Sequence, residues 1–177
     1  MRTMQVMACA LALAAAASAL AAAPRLQVTE TVTIDAPVPK VWKAIKDFNG
    51  LGSWHPAIAK DEIIEGRNNQ VDAVRLLTLK DGGTIKEKLL VFNPAAHTVK
   101  YTILEGVVPV SDYTSTIRVT GAGEGKALVT WSGHFLRKNT GDNPGPTEND
   151  KTATDAIHGI YRSGLDNLKK MIEGASQ

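Results

Sequence analysis

Apolar residues recur at Ala153, Ala156, Ile157, Ile160, Tyr161, Leu165, Leu168 and Ile172, the spacing of one face of an α-helix. Thr147 stands where an N-cap belongs, with Asp150 three residues on as a weak capping-box partner, and Gly174 stands where a C-cap glycine belongs. A helix of about 25 residues rising ~1.5 Å per residue is about 37 Å long. With a single apolar face it needs a broad partner of similar length. This requirement restricts the possible folds more than any other feature, because only one part of the chain can supply such a partner.

That part begins near Ile58, where the period of the apolar pattern switches to two. Six strands are expected at 58–65, 71–79, 84–92, 97–104, 112–120 and 126–136. The breaks between them are turn chemistry: Gly66-Arg67-Asn68-Asn69, Asp81-Gly82-Gly83, Asn93-Pro94-Ala95-Ala96, Glu105-Gly106 with Pro109, and Gly121 to Gly125. Connections this short make consecutive strands antiparallel neighbours. A seventh strand is expected at Leu26–Ile34, with Leu26, Val28, Val32 and Ile34 on one face and Glu30 as a polar exception on that face. Between it and the others, Pro37 and Pro39 suit a first helical turn. Val38, Val41, Ile45 and Phe48, with Trp42 beside them, form an apolar stripe. Asn49-Gly50 ends this helix, and Leu51 to Trp54 make one further turn before Pro56. The expected fold is therefore α+β: a seven-stranded antiparallel curved sheet wrapped around a long C-terminal helix, with two short helices after strand 1. This is the element order of the helix-grip fold.

The first residues are a separate object. Arg2 gives a short positive region, Val6 to Ala23 carries no charge, and Ala19-Leu20-Ala21 fits a small-x-small cleavage site. Residues 1–21 read as a secretory signal peptide and 22–177 as one domain, a length that suits a single core. Cys9 is the only cysteine and would leave with the signal, so the mature chain has no disulfide, thiolate metal site or cysteine nucleophile. Export points to the periplasm. Twenty basic against 18 acidic residues, with no basic run, give no electrostatic case for nucleic acid, nor for a membrane once the signal is cleaved.

Strand parity sorts the candidate site residues. Arg75 falls with Val71, Ala73, Leu77 and Leu79, and Glu87 with Ile85, Leu89 and Val91, so both point inward among aliphatic groups. A buried carboxylate is costly unless paired, and an Arg75–Glu87 contact is expected. Glu87 is then either an acid/base group or half of a structural or ligand-orienting ion pair. Tyr101, Tyr113, Trp131 and Phe135 also point inward, and Tyr161 lies on the apolar face of the long helix. They either line a small-molecule cavity or fill the core. His134 falls on the solvent side. In the corner Trp54-His55-Pro56, His55 is either a ligand or acid/base group or an imidazole held by backbone partners. No metal-ligand spacing, nucleotide signature or Ser-His-Asp set is present, and no cofactor is expected. The acidic and amide residues between Arg137 and Asp150 lack calcium-loop spacing and read as a solvated connector. Two loops flank the expected mouth, Lys80 to Gly83 and Glu105 to Val110. Val107, Val108 and Val110 around Pro109 form either an exposed apolar tip or a turn packed on the mouth.

Ala36-Pro37-Val38-Pro39-Lys40-Val41-Trp42, Asp47-Phe48 and Trp54-His55-Pro56 resemble the SRPBCC superfamily, which includes START lipid-transfer domains, polyketide cyclases, birch-pollen-allergen-like proteins and plant abscisic-acid receptors. Glu87-Lys88-Leu89-Leu90, Tyr101, Pro109-Val110, Tyr113, Trp131 and Phe135 are similar to its polyketide-cyclase/MxaD-like branch. The resemblance covers about residues 27–172. It implies an internal cavity for a small apolar or aromatic ligand, with Trp54, His55, Arg75, Glu87, Tyr101, Pro109, Tyr113, Trp131, Phe135 and Tyr161 as binding residues. Exported members of that branch include periplasmic accessory proteins of methanol oxidation, which implies a dehydrogenase or c-type cytochrome as partner and no turnover. The alternative is a cyclase or dehydratase with Glu87 and His55 as acid/base groups.

Overall fold

A computed structural model describes residues 23–174. The segment read as a signal peptide, with its cleavage site and Cys9, lies outside the described residues. Seven strands form one antiparallel sheet: β1 (Leu26–Ile34), β2 (Ile58–Glu65), β3 (Val74–Leu79), β4 (Thr84–Asn93), β5 (Thr98–Gly106), β6 (Val110–Gly121) and β7 (Ala127–Arg137). Their spatial order is β1-β7-β6-β5-β4-β3-β2, so every neighbour except the β1–β7 pair is consecutive in the chain. Helix α1 (Val38–Ile45) and a 3-10 turn (Leu51–Ser53) follow β1, and helix α2 (Asp150–Gly174) lies against the sheet. This is the expected helix-grip architecture.

The 25 residues of α2 bury Ala153, Ile157, Tyr161, Gly164, Leu165, Leu168 and Ile172. Each large aliphatic group here contributes about 1.5–3 kcal/mol by leaving water. Polar contacts along β1 fix the helix's position on the sheet. Glu30 meets His158 at 2.7 Å and Arg162 at 3.4 Å, which accounts for a carboxylate on the apolar face of β1. Arg162 also donates to the Thr31 carbonyl, and Lys169 to that of Thr33.

Four details depart from the sequence reading, one of them in β4, where a register shift between Leu89 and Val91 ends the inward alternation and leaves Val91 exposed. The strand expected at 71–79 starts at Val74, because Gln70–Asp72 is a turn with Asp72 at φ 70° and Val71 is exposed. The N-cap of α2 is Asn149 rather than Thr147: its Oδ1 accepts the Thr152 amide at 2.9 Å, the N-cap to N3 bond that satisfies one orphan donor of the first turn. In β2 a register shift between Ile58 and Lys60 reverses the alternation. Ile58 faces the core before the bulge, and Asp61 and Ile63 do so after it, opposite Leu77 and Arg75.

The β5–β6 ladder covers only Thr98–Thr102 against Arg118–Thr114. Beyond it, β5 continues beside β4 as far as Gly106 and β6 begins beside β7 at Val110. The sheet is therefore split at one end, and a cleft of about 320 Å³ lies between the two limbs, lined by Ile103, Glu105, Val108, Ser111, Tyr113 and Lys138 among others.

Candidate functional site

Arg75 on β3 sits directly opposite Glu87 on β4, and both side chains are buried. Arg75 donates from Nε to Glu87 Oε2 at 2.8 Å, with Nη2 2.6 Å from the same oxygen. Its Nη1 donates to the Phe48 carbonyl at 2.5 Å and lies 3.6 Å from Asp61 Oδ2. The guanidinium rests over the Phe48 ring, 4.3 Å from its centroid, with the Tyr101 ring at 5.3 Å. Burial pushes the Glu87 carboxyl up, against the pull of Arg75. Burial raises Asp61 too, against Arg75 and the Leu51 amide that donates to it. Burial alone would lower Arg75, but the Glu87 and Asp61 carboxylates hold it above its usual range. The expected ion pair is thus present, as part of a three-residue cluster that joins β2, β3 and β4 and ties the Phe48 segment after α1 to the sheet.

His55 is held from both sides. The Ala57 amide donates to Nδ1 at 3.2 Å, so the proton is on Nε2, which donates to the Ile160 carbonyl of α2 at 3.0 Å. Burial lowers its pKa, opposed by the bond to Ile160. The ring is neutral with both nitrogens committed, the backbone-held alternative. Trp54 beside it packs edge-on against Trp131, centroids 5.6 Å apart, and its Nε1 has no hydrogen-bond partner among the described residues. Gly164 of α2 lets these rings approach: a Cβ there would lie 2.6 Å from His55 Cδ2 and 2.9 Å from Trp131 Cζ3.

The inward aromatic residues form one hydrogen-bonded cluster. Trp131 stacks on Tyr161 with centroids 4.4 Å apart, and its Nε1 lies 3.0 Å from Tyr101 Oη and 2.9 Å from Ser115 Oγ. Tyr161 Oη lies 2.5 Å from Tyr113 Oη and 2.9 Å from Ser115 Oγ. Ser115 donates to the Ser132 carbonyl at 3.0 Å. Burial raises the pKa of all three tyrosines, so they act as neutral phenols. Gly133 makes room for the Tyr161 hydroxyl, which any Cβ there would overlap.

Between sheet and α2 remains an internal cavity of about 80 Å³. His55, Glu87, Tyr101, Tyr113 and Trp131 of the ten expected binding residues line it. Aliphatic groups of Leu77, Leu79, Ile85, Ile103, Val108 and Ile157 make up most of the remaining wall. Phe135 and Tyr161 are fully buried behind that wall. Trp54 and Arg75 line a separate void of about 10 Å³ next to Phe48. Pro109 is half-buried in the β5–β6 loop and is not in the cavity wall. The aromatic set therefore fills core and bounds a lumen at once. An 80 Å³ lumen is well below the several hundred Å³ of a drug-sized pocket.

The two mouth loops meet. The Val107 amide donates to the Thr84 carbonyl at 3.1 Å, and a Cβ on Gly83 would lie 2.9 Å from the Val107 side chain. Val108 and Val110 are buried and only Val107 is exposed. The loop is thus the turn packed on the mouth, and Val108, with Ile103 and Tyr113, lines both the lumen and the cleft in the split sheet. Among the described residues no group of three or more His, Cys, Asp or Glu is placed to hold a metal ion.

Ser115 and Asp61 are the polar members that sequence reading did not single out. Ser115 carries a signal, a small hydroxyl at an inward position between Tyr113 and Ile117. Asp61 carries none until the β2 bulge is known.

Comparison with known proteins agrees with this architecture. The profile of the family described as polyketide cyclase / dehydrase and lipid transport matches residues 25–173, and the chain belongs to that family. It is similar to the protein XoxI of Bacillus cereus, at 33% identity over 85% of this chain and 98% of that one, TM-score 0.73. It is similar also to a protein of Bacillus thuringiensis, at 34% identity over 83% and 98%, TM-score 0.72. The Zhui aromatase/cyclase of a Streptomyces species shares the fold, with 20% identity over 87% and 97% and TM-score 0.74. No curated protein matches the sequence.

Proposed function

We propose that the chain is a non-catalytic binding protein that takes a small, mostly apolar molecule into the cavity between sheet and α2. The observation that carries this reading is the lumen itself: aliphatic and aromatic walls with a single carboxylate, behind a mouth where two loops meet. The committed nitrogens of His55 weigh against a cyclase or dehydratase, since a proton carrier needs a free nitrogen facing its substrate. Native mass spectrometry of gently purified protein tests the reading. A small molecule retained with the fold and lost on Val108→Trp, which fills the mouth, is the expected result; repeated preparations without bound mass, and no uptake of small apolar probes, would overturn it.

The cellular setting we propose follows from the N-terminal segment and the MxaD-like motifs. The chain is exported to the periplasm and serves there as an accessory factor of alcohol oxidation, meeting a dehydrogenase or its c-type cytochrome. Osmotic-shock fractionation tests the location. Affinity capture from the same fraction tests the partner, and recovery of neither a dehydrogenase nor a cytochrome removes the accessory role.

A further inference from the structure

Two carboxylates share one guanidinium in the buried cluster. The side chains of Arg75 and Asp61 are each 4% exposed and that of Glu87 is 6% exposed. Arg75 lies 2.6 Å from Glu87 and 3.6 Å from Asp61. Among the described residues no other Lys, Arg or His comes within ion-pair distance of either carboxylate. The nearby His55 is neutral, with both nitrogens committed. The ionised cluster therefore carries one negative charge more than the protein balances, in a setting where an uncompensated charge is strongly destabilising.

The cluster is also polarised. Glu87 lines the 80 Å³ lumen. Arg75 does not; it lines the separate void beside Phe48. The negative end of the pair thus borders the lumen, and the positive end lies behind it. Tyr101, Tyr113 and Trp131 stand in the same lumen wall, and the faces of such rings attract cations.

From this charge balance we infer that the lumen selects a small alkylammonium ion, its ammonium group against Glu87 and its alkyl body against Leu77, Leu79, Ile85 and Ile103. This rests on the binding-protein reading above and names its ligand class. A carboxylate would face Glu87 with like charge, and a neutral guest would leave the excess charge where it is. A metal ion needs further ligands, and among the described residues no group of three or more His, Cys, Asp or Glu is placed to supply them. The volume limits the guest to about three or four non-hydrogen atoms, since a dry cavity of about 150 Å³ takes a benzene.

Probes of equal size and different charge test this. Ethylammonium and ethanol have the same number of non-hydrogen atoms, and xenon reports whether the lumen accepts an apolar guest. Titrations followed by methyl resonances of Ile85, Ile103 and Ile157 should show ethylammonium binding at least roughly tenfold tighter than ethanol. Glu87→Gln removes the charge, while its amide oxygen can still accept from Arg75 and Asp61 balances the guanidinium. It should weaken ethylammonium roughly tenfold and leave ethanol and xenon unchanged. Should that variant fail to fold, Asp61→Asn restores the balance from outside the lumen wall and carries the same expectation. Ethanol binding as tightly as ethylammonium, the result if a proton rather than a guest balances the cluster, would overturn the ammonium inference and leave the container standing. An ethylammonium affinity indifferent to the variant would do the same. Entry of none of the three probes would overturn the container itself.

Discussion

Arg75 and Glu87 are each buried with the other as principal counter-charge. Removing one partner leaves a bare charge in an apolar wall, a loss of about 3–5 kcal/mol, whereas replacing both by aliphatic groups is often neutral. Arg75→Met should therefore lower stability by roughly that amount, and Arg75→Met with Glu87→Leu should recover only part of it, because Asp61 and the Phe48 carbonyl still lack the guanidinium, as read from urea unfolding. Gly164 offers a sharper test, because two effects oppose each other there. Gly→Ala inside a helix ordinarily gains up to about 1 kcal/mol, and Gly159→Ala, with nothing within 4 Å of the new Cβ, should show that gain. Gly164→Ala instead drives a methyl group into His55 and Trp131 and should cost about 1–3 kcal/mol. Equal effects at the two glycines would mean that the Trp54–His55 corner yields freely to α2.

Among the elements, α2 and its cap give the next prediction. Asn149→Ala should cost about 1 kcal/mol by freeing the Thr152 amide. Thr147→Ala, at the position that sequence reading assigned to the cap, should stay within about 0.5 kcal/mol. The contrast reflects what periodicity encodes. Six of the seven strands were legible to within two residues because one face of each is buried and the other is wet, and the inward positions of Arg75, Glu87, Tyr101 and Trp131 followed from that alternation. The position of His134 on the solvent face followed too. A bulge breaks the inference locally. In β2 one extra residue brings Asp61 to the same face as Ile58 and into the ion-pair cluster, and nothing in Ile58-Ala59-Lys60-Asp61 marks where the register slips. Caps are similarly degenerate, since Thr147, Asn149 and Asp150 are all good capping residues within one turn.

For the molecule as a whole, acid sensitivity has a definite sign. Burial holds the His55 pKa below its ordinary 6.5, so the folded chain binds fewer protons than the unfolded chain where free imidazole titrates. Its contribution to stability is full above about pH 6.5 and declines as pH falls through that value toward the lower folded pKa. The urea midpoint should drop between about pH 8 and pH 5.5 more in the wild type than in His55→Gln, and an identical drop in both would refute the assignment. How much lumen remains was not legible in the sequence, because it depends on how Trp131, Tyr161 and Ser115 fit against one another in space. The split sheet has a consequence at this same scale. Strands β1, β7 and β6 make one leaf and β5 to β2 another, joined along only five residue pairs, Thr98–Thr102 with Arg118–Thr114. The seam acts as a spine that leaves the far margins of the two leaves free to breathe, so amide exchange at 110–113 should outpace that at 114–118. A slight parting of the leaves where Ile103, Val108 and Tyr113 line both spaces would join the lumen to the outer cleft.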